Sequence, residues 1–147
     1  MKIGWIVVSI LILLFTGCES TEDTLNSLDH TVPTVQFNPD TLEVNAGEKV
    51  TLNALLADES GIQRIEFTYG NWRLNTIVDL SEESTQVSYT FSTEITVPAD
   101  ALKSWEEKEY YNDGTSLVIT QTYHKLLLTV WDKNRNLQKG YCYVKVK

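Results

Sequence analysis

Cysteine and histidine are scarce in this chain of 147 residues, and both shortages exclude classes of protein. Two cysteines, Cys18 and Cys142, cannot build the disulfide framework of a small secreted scaffold. The two histidines, His30 and His124, stand in no H-E-x-x-H motif. No serine or cysteine nucleophile motif and no glycine-rich phosphate loop occurs either. We therefore expect a protein that is not an enzyme and that uses no cofactor.

Basic residues are also few. The chain has 12 Lys and Arg against 20 Asp and Glu, which gives a net charge of −8. Affinity for nucleic acid comes from Lys and Arg that neutralise phosphates, so this balance predicts no nucleic-acid partner. It equally disfavours a domain that lies on an anionic lipid surface.

The amino terminus has the features of an export signal. Lys2 precedes an apolar run over residues 3–15, which is long enough for a signal peptide and too short to span a bilayer. Phe15-Thr16-Gly17 leads directly into Cys18, and this resembles the lipobox of bacterial lipoproteins. The resemblance implies that residues 1–17 are removed and that acyl groups on Cys18 hold the protein at a membrane. An ordinary secretory signal with a chance cysteine is the alternative.

Cleavage before Cys18 would remove only Lys2 from the charged residues, which leaves 11 basic against 20 acidic and a net charge of −9. Acylated Cys18 could not form a disulfide, so we expect Cys142 to be a small buried core residue. Residues 18–31 are polar and acidic and are interpreted as a flexible tether. Their acidic start also resembles the export signal of surface lipoproteins in glycan-foraging Gram-negative anaerobes. This implies an outer-membrane lipoprotein that is exposed at the surface or otherwise faces the periplasm.

Residues 32–147 alternate apolar and polar side chains with a period of two, which is typical of half-buried antiparallel strands. The clearest case runs from Val87 to Val97. Turn signals recur about every ten residues, which predicts one all-β domain, a β-sandwich of about seven strands.

Several turn and strand markers resemble bacterial immunoglobulin-like domains of uncharacterised surface lipoproteins. The resemblance implies an immunoglobulin-like antiparallel sandwich and no particular activity. The markers are Pro33, Ala46-Gly47, Asp58 with Gly61, residues 97–100 (VPAD) and residues 128–134 (LTVWDKN).

Residues 102–122 depart from that pattern and form an insertion between the fifth and sixth strands. Asp113-Gly114 between β-formers predicts a hairpin of residues 108–112 and 115–123, preceded by a single helical turn in residues 98–105. If every strand reverses direction, this insertion shares one end of the sandwich with Trp72, and we expect Trp72, Trp105, Tyr110 and Tyr111 to meet at that end, away from the membrane. The turns at Asp58-Glu59 and residues 132–136 then share the tethered end.

Aromatic rings beside acidic and amide groups suit sugar recognition, because a ring stacks on a pyranose while carboxylates and amides bind its hydroxyls. The insertion and the turn before it offer this combination. Alternatively, these rings cover the open end of the core, or they mark a protein interface. The candidate ligand-binding residues are Trp72, Trp105, Glu107, Glu109, Tyr110, Tyr111 and Asn112.

A cation site is a weaker hypothesis. Asp132, Asn134 and Asn136 match the first, third and fifth positions of a calcium loop, and Asp58 could complete a shared site. Leu137 replaces the glycine of position six and Tyr143 the glutamate of position twelve. The pattern therefore favours a plain turn.

Three functions remain open. The first is a lipid-anchored, non-catalytic binding or adhesion module for a polysaccharide or a surface protein. The second is a structural subunit that packs against a larger outer-membrane complex. The third and least favoured is a hydrolase that uses Glu106, Glu107 and Glu109.

Overall fold

The computed structural model describes residues 31–80 and 86–147. The predicted signal peptide, Cys18, and all of the predicted tether except Thr31 lie outside the described residues. Ten β-strands and one turn of 3-10 helix, Gly70–Trp72, occur in the described part. The strands are β1 Thr34–Phe37, β2 Thr41–Val44, β3 Lys49–Ala57, β4 Ile62–Tyr69, β5 Leu74–Asp79, β6 Ser88–Thr96, β7 Trp105–Tyr110, β8 Ser116–Gln121, β9 His124–Asp132 and β10 Leu137–Val146.

Two sheets form the body of the domain. One has the order β1-β3-β6 and the other the order β2-β10-β9-β4-β5. Neighbouring strands are antiparallel except β10 and β2, which run parallel. β1 and β2 are consecutive in the chain but belong to different sheets, and the cis peptide Asn38–Pro39 lies between them. The all-β prediction is confirmed, and the arrangement is consistent with a β-sandwich.

The core lies between the two sheets and follows from the alternation in the sequence. Inward side chains of β3 are buried while their neighbours are exposed, and the Phe67 and Phe91 rings meet across the sheets at 5.8 Å. Cys142 is completely buried in this cluster, as expected. The buried core residues run from Phe37 to Val146, so a chain that begins at residue 19 retains all of them.

The turns gather at two opposite ends, as the alternating strand directions predict. The Lys133 amide donates to the Gly61 carbonyl at 3.1 Å, which joins the turn after β3 to the turn after β9. Thr31 and Val32 line a cleft with Asp58 and Glu59 at this same end. β4 runs from this end to Tyr69, so Trp72 lies at the other end.

In the part of the chain that the structure describes, β7 and β8 pair only with each other, and they form a two-stranded arm at the Trp72 end. The arm occurs where the sequence predicts a hairpin, but its first strand begins three residues earlier, at Trp105. Gly114 has φ +83° in the connecting loop, a conformation that glycine adopts without strain, and the Tyr111 amide donates to the Thr115 carbonyl. The predicted helical turn in residues 98–105 is wrong. A β-turn, closed by the Ala101 amide and the Pro98 carbonyl at 3.0 Å, precedes extended chain there.

Gly140 provides the first test of this packing. A Cβ atom at this position would collide with the side chain of Val35, which is short, branched and unable to move aside. Gly140→Ala should therefore destabilise the domain by roughly 1–3 kcal/mol, measured by urea unfolding. Gly70→Ala is the matched control, since nothing lies within 4 Å of its added Cβ. Equal loss in the two variants would contradict the close approach of β1 to β10.

Cys142 provides the second test. Burial, and to a smaller extent the charge of Asp40, raises the pKa of its thiol to about 11. The thiol therefore stays protonated at pH 8, and reagents that need thiolate should not react with it. In a chain of residues 19–147, iodoacetamide should label Cys142 only after unfolding in guanidinium chloride. Rapid labelling of the folded protein would show that the core is open there.

Candidate functional site

Four aromatic side chains from separate parts of the chain meet at the end of the sandwich that carries the arm. Tyr69 ends β4, Trp72 lies in the 3-10 turn that follows, His124 begins β9 and Trp105 begins β7. Arg73 has φ 55°, a left-handed conformation that reverses the chain after Trp72 and starts β5. The cluster therefore forms at the end of the sandwich where β4 ends and β9 begins.

His124 is the centre of this cluster. Its imidazole stacks obliquely on Trp72, with ring centroids 4.5 Å apart, and on Trp105, at 4.7 Å. Tyr69 meets Trp72 edge-on at 5.2 Å. These separations lie within the range of favourable aromatic pairs. Trp72 and His124 are 9 % and 3 % exposed, whereas Trp105 is only partly buried.

Both nitrogens of His124 have hydrogen-bond partners. Nε2 lies 2.8 Å from the Leu102 carbonyl oxygen, and Nδ1 lies 2.8 Å from the Tyr69 hydroxyl. A carbonyl only accepts, so Nε2 carries a proton and donates. In the neutral ring Nδ1 then accepts from Tyr69, whose oxygen accepts in turn from Asn71 at 3.0 Å. Neither nitrogen is left for a metal or for proton transfer to a substrate.

Tyr69 keeps its proton in this chain of bonds. Burial is the largest effect and raises the pKa of its hydroxyl, the hydrogen bond from Asn71 opposes it, and the charge of Glu107 raises the pKa again. The phenol is therefore a stable donor to His124 at neutral pH.

A groove of about 470 Å³ opens beside the rings. Trp105 provides its accessible aromatic surface, with the buried Trp72 and His124 behind it. Arg73 and Asp100 are exposed and offer charged hydrogen-bonding groups. An aromatic surface with a donor and an acceptor beside it can stack on an apolar ring and bind polar substituents around that ring. The full lining is Asn71, Trp72, Arg73, Pro98, Asp100, Ala101, Leu102, Trp105 and His124.

Three of the candidate ligand-binding residues lie in or beside this groove. Trp72 and Trp105 line it, although Trp72 is too deeply buried to offer a ring face. Glu107 accepts from Trp105 Nε1 at 2.8 Å and from Gln121 Nε2 at 3.2 Å, which fixes the orientation of the indole.

The other four candidates lie further along the arm. Tyr111 donates to Glu109 at 3.5 Å, Tyr110 packs beneath the Lys108 ammonium at 5.1 Å, and Asn112 is in the loop at the tip. The expectation that Tyr110 and Tyr111 meet the two tryptophans is wrong. The arm extends away from the body, and at about 3.4 Å per residue Tyr110 is about 17 Å from Trp105.

Sequence patterns did not predict the roles of His124, Tyr69, Arg73 and Asp100. One signal for His124 was present in the sequence, because it shares the inward face of β9 with Leu126 and Leu128. A buried imidazole needs hydrogen-bond partners for both of its nitrogens. The partners themselves, 22 and 55 residues away, left no local pattern.

The weaker cation candidates serve as turn caps. Asp58 accepts from the Ser60 amide at 2.9 Å, and Asp132 accepts from the amide and the side chain of Asn136, both at 2.7 Å. Within residues 31–80 and 86–147, no group of three or more His, Cys, Asp and Glu side chains could hold a metal ion. Asn134 lies in the same turn, between Asp132 and Asn136.

Comparison with known proteins adds no family, because no family profile matches the chain and no curated protein is significantly similar to it. In the described part of the chain, no helix has the length and apolar composition needed to cross a membrane.

The hydrogen bonds of His124 can be tested by a change that keeps a ring. His124→Phe retains the stacking but leaves the Leu102 carbonyl and the Tyr69 hydroxyl without their partner. Each lost hydrogen bond costs about 0.5–1.5 kcal/mol, so urea unfolding should show a loss of roughly 1–3 kcal/mol for the two bonds together. Tyr123→Phe, at the exposed neighbouring position, should change stability by less than about 0.5 kcal/mol. A stable His124→Phe protein would show that stacking alone holds the cluster.

Proposed function

We propose that the chain is a lipid-anchored, non-catalytic binding module of a bacterial cell envelope, and that its ligand is a carbohydrate. The groove beside Trp105 carries this proposal, because it combines a partly exposed indole with the Arg73 guanidinium and the Asp100 carboxylate. A pyranose has one apolar face for the ring and hydroxyls for the polar groups. Trp105 is the stacking residue in this proposal, and Trp72 supports it from behind through His124.

The anchor in this proposal is acylated Cys18, followed by the tether of residues 18–31. The body in this proposal is an immunoglobulin-like sandwich, and two features of its strand arrangement support this. The first two strands, β1 and β2, belong to different sheets, and β10, β9 and β4 are successive neighbours in one sheet. Since Thr31 lies at the end opposite the groove, an anchored domain would present the groove away from the membrane. The proposed location is the outer membrane of a Gram-negative bacterium, exposed at the surface or otherwise facing the periplasm.

The absence of catalysis in this proposal is supported by three groups. His124 uses both nitrogens internally, Cys142 is buried with a raised pKa, and Glu106 and Glu109 are exposed on the open arm. A glycosidase needs its two carboxylates on either side of a cleft that holds the sugar. In the described residues Glu106 and Glu109 lie outside the groove, and Glu107 beside it accepts hydrogen bonds from Trp105 and Gln121.

A second candidate function is a subunit that binds a protein partner through the arm. The specific observation is that Tyr110 is 75 % exposed and that Leu117 and Val118 are about half exposed on the same arm. Large exposed apolar side chains close together are typical of interaction surfaces.

Residues 19–147 should be tested against a panel of neutral and acidic polysaccharides by affinity gel electrophoresis. At least one polysaccharide should retard the protein, and Trp105→Ala should weaken its binding about tenfold or more, as expected for a buried aromatic anchor. Trp131→Phe is the control and should bind normally. Trp131 lies on the outward face of β9, at the end of the sandwich opposite the groove.

A panel with no retardation would reject carbohydrate binding, and recovery of a stoichiometric partner with the native lipoprotein from detergent would then favour the subunit. Mass spectrometry of the native protein tests the anchor separately, since an unmodified Cys18 or an uncleaved leader would reject it.

A further inference from the structure

The two strands of the arm differ in charge. β7 has the sequence WEEKEY, with four charged side chains among its six residues, whereas β8 has the sequence SLVITQ and none. Among the described residues these strands pair only with each other, so each has one free edge. The arm therefore has one charged edge and one uncharged edge.

The uncharged edge lacks the features that normally prevent strands from pairing between molecules. Edge strands are usually protected by charged side chains, proline or a β-bulge. β8 has no charge and no proline, and its register with β7 is continuous from Gln121 to Ser116. A two-stranded sheet is also marginally stable in water unless further strands or a packed face support it.

The exposed side chains of β8 are apolar on both faces of the arm. Leu117 shares a face with Glu109 and is 50 % exposed, whereas Val118 shares the other face with Lys108 and is 55 % exposed. Burying both requires a partner that extends the sheet and continues both of its faces.

We propose that β8 pairs antiparallel with β8 of a second copy of this chain, so that two arms form one four-stranded sheet. An isologous pair centred on Val118 sets the two Val118 residues opposite each other. It sets Leu117 opposite Ile119 of the second copy and Ser116 opposite Thr120. Every cross-strand pair is uncharged, and the central ones are apolar, which is favourable in an antiparallel sheet.

Charge explains why β8, and not β7, is the strand that pairs with a second copy. Two molecules that each carry a net charge of −8 repel, so their contact requires an uncharged strip. The same pairing through β7, centred on Lys108, would set the two Lys108 residues opposite each other and Glu107 opposite Glu109. Like charges directly opposite destabilise a strand pair.

The antiparallel pairing separates the two bodies. Each arm joins its sandwich at Trp105 and Gln121, so antiparallel arms hold the sandwiches at opposite ends of the shared sheet. Thr31 lies at the end of each sandwich away from its arm. If the amino termini are anchored, which rests on the proposed function, the dimer connects copies on two facing surfaces. The pairing itself requires neither the anchor nor a carbohydrate.

Sedimentation velocity of residues 19–147 tests the pairing without any sugar present. The protein should sediment with twice the monomer mass at high micromolar concentration and dissociate on dilution. Val118→Lys, which sets two charges opposite each other at the centre, should raise the dissociation constant at least tenfold. Glu106→Lys introduces the same side chain on β7 and should leave the dimer intact. Circular dichroism checks that both variants stay folded, as expected for exposed positions.

A wild-type protein that stays monomeric up to about 200 µM would overturn the pairing, since a weaker association corresponds to less than about 5 kcal/mol. A dimer unaffected by Val118→Lys would overturn it as well, because another surface would then be responsible. Beads that carry the domain through its amino terminus should cluster, and clustering should fail with Val118→Lys. Beads that stay dispersed while the free protein dimerises would overturn the connection between facing surfaces.

Discussion

The need to satisfy one buried imidazole determines how the end of this domain is built. His124 occupies an inward position of β9 that alternation would give to an apolar residue, so both of its nitrogens must find partners away from water. One partner is the Tyr69 hydroxyl on β4, and the other is the Leu102 carbonyl in the segment that leads to the arm. Through His124, these two bonds connect the end of β4 to the segment around Leu102. They therefore set where the arm begins and where the groove lies.

The body and the arm are stabilised by different interactions. In the body, inward side chains of two sheets share one core. Ion pairs between outward residues, such as Lys49–Glu94 and Arg64–Asp79, are exposed and contribute little. The arm has no core of its own. At its base, Glu107 accepts hydrogen bonds from Trp105 and Gln121. Its outer half is held by backbone pairing and by exposed side-chain contacts such as those of Tyr111 with Glu109 and Lys108 with Tyr110.

Local patterns in the sequence predict the strands and fail on the contacts between distant segments. Alternation from Val87 to Val97 correctly assigns the inward residues Phe91, Ile95 and Val97, and Asp113-Gly114 correctly predicts the hairpin loop. The division of β1 and β2 between sheets and the parallel pairing of β2 with β10 depend on partners far along the chain, which no local period encodes. The same limit applies to the site, because Arg73, Asp100 and His124 converge only when the sheets have formed.

Net charge predicts partners only at the scale of the whole molecule. An excess of acidic residues disfavours nucleic acid and anionic lipid, and it also predicts that copies repel. The acidic residues are not evenly spread, however, since Glu106, Glu107 and Glu109 all belong to β7 while β8 has no charge. Repulsion between two molecules is therefore strongest where the charged edges of β7 approach each other. It is weakest where the uncharged edges of β8 approach each other. The charge of β7 thereby determines that any pairing between arms takes place through β8.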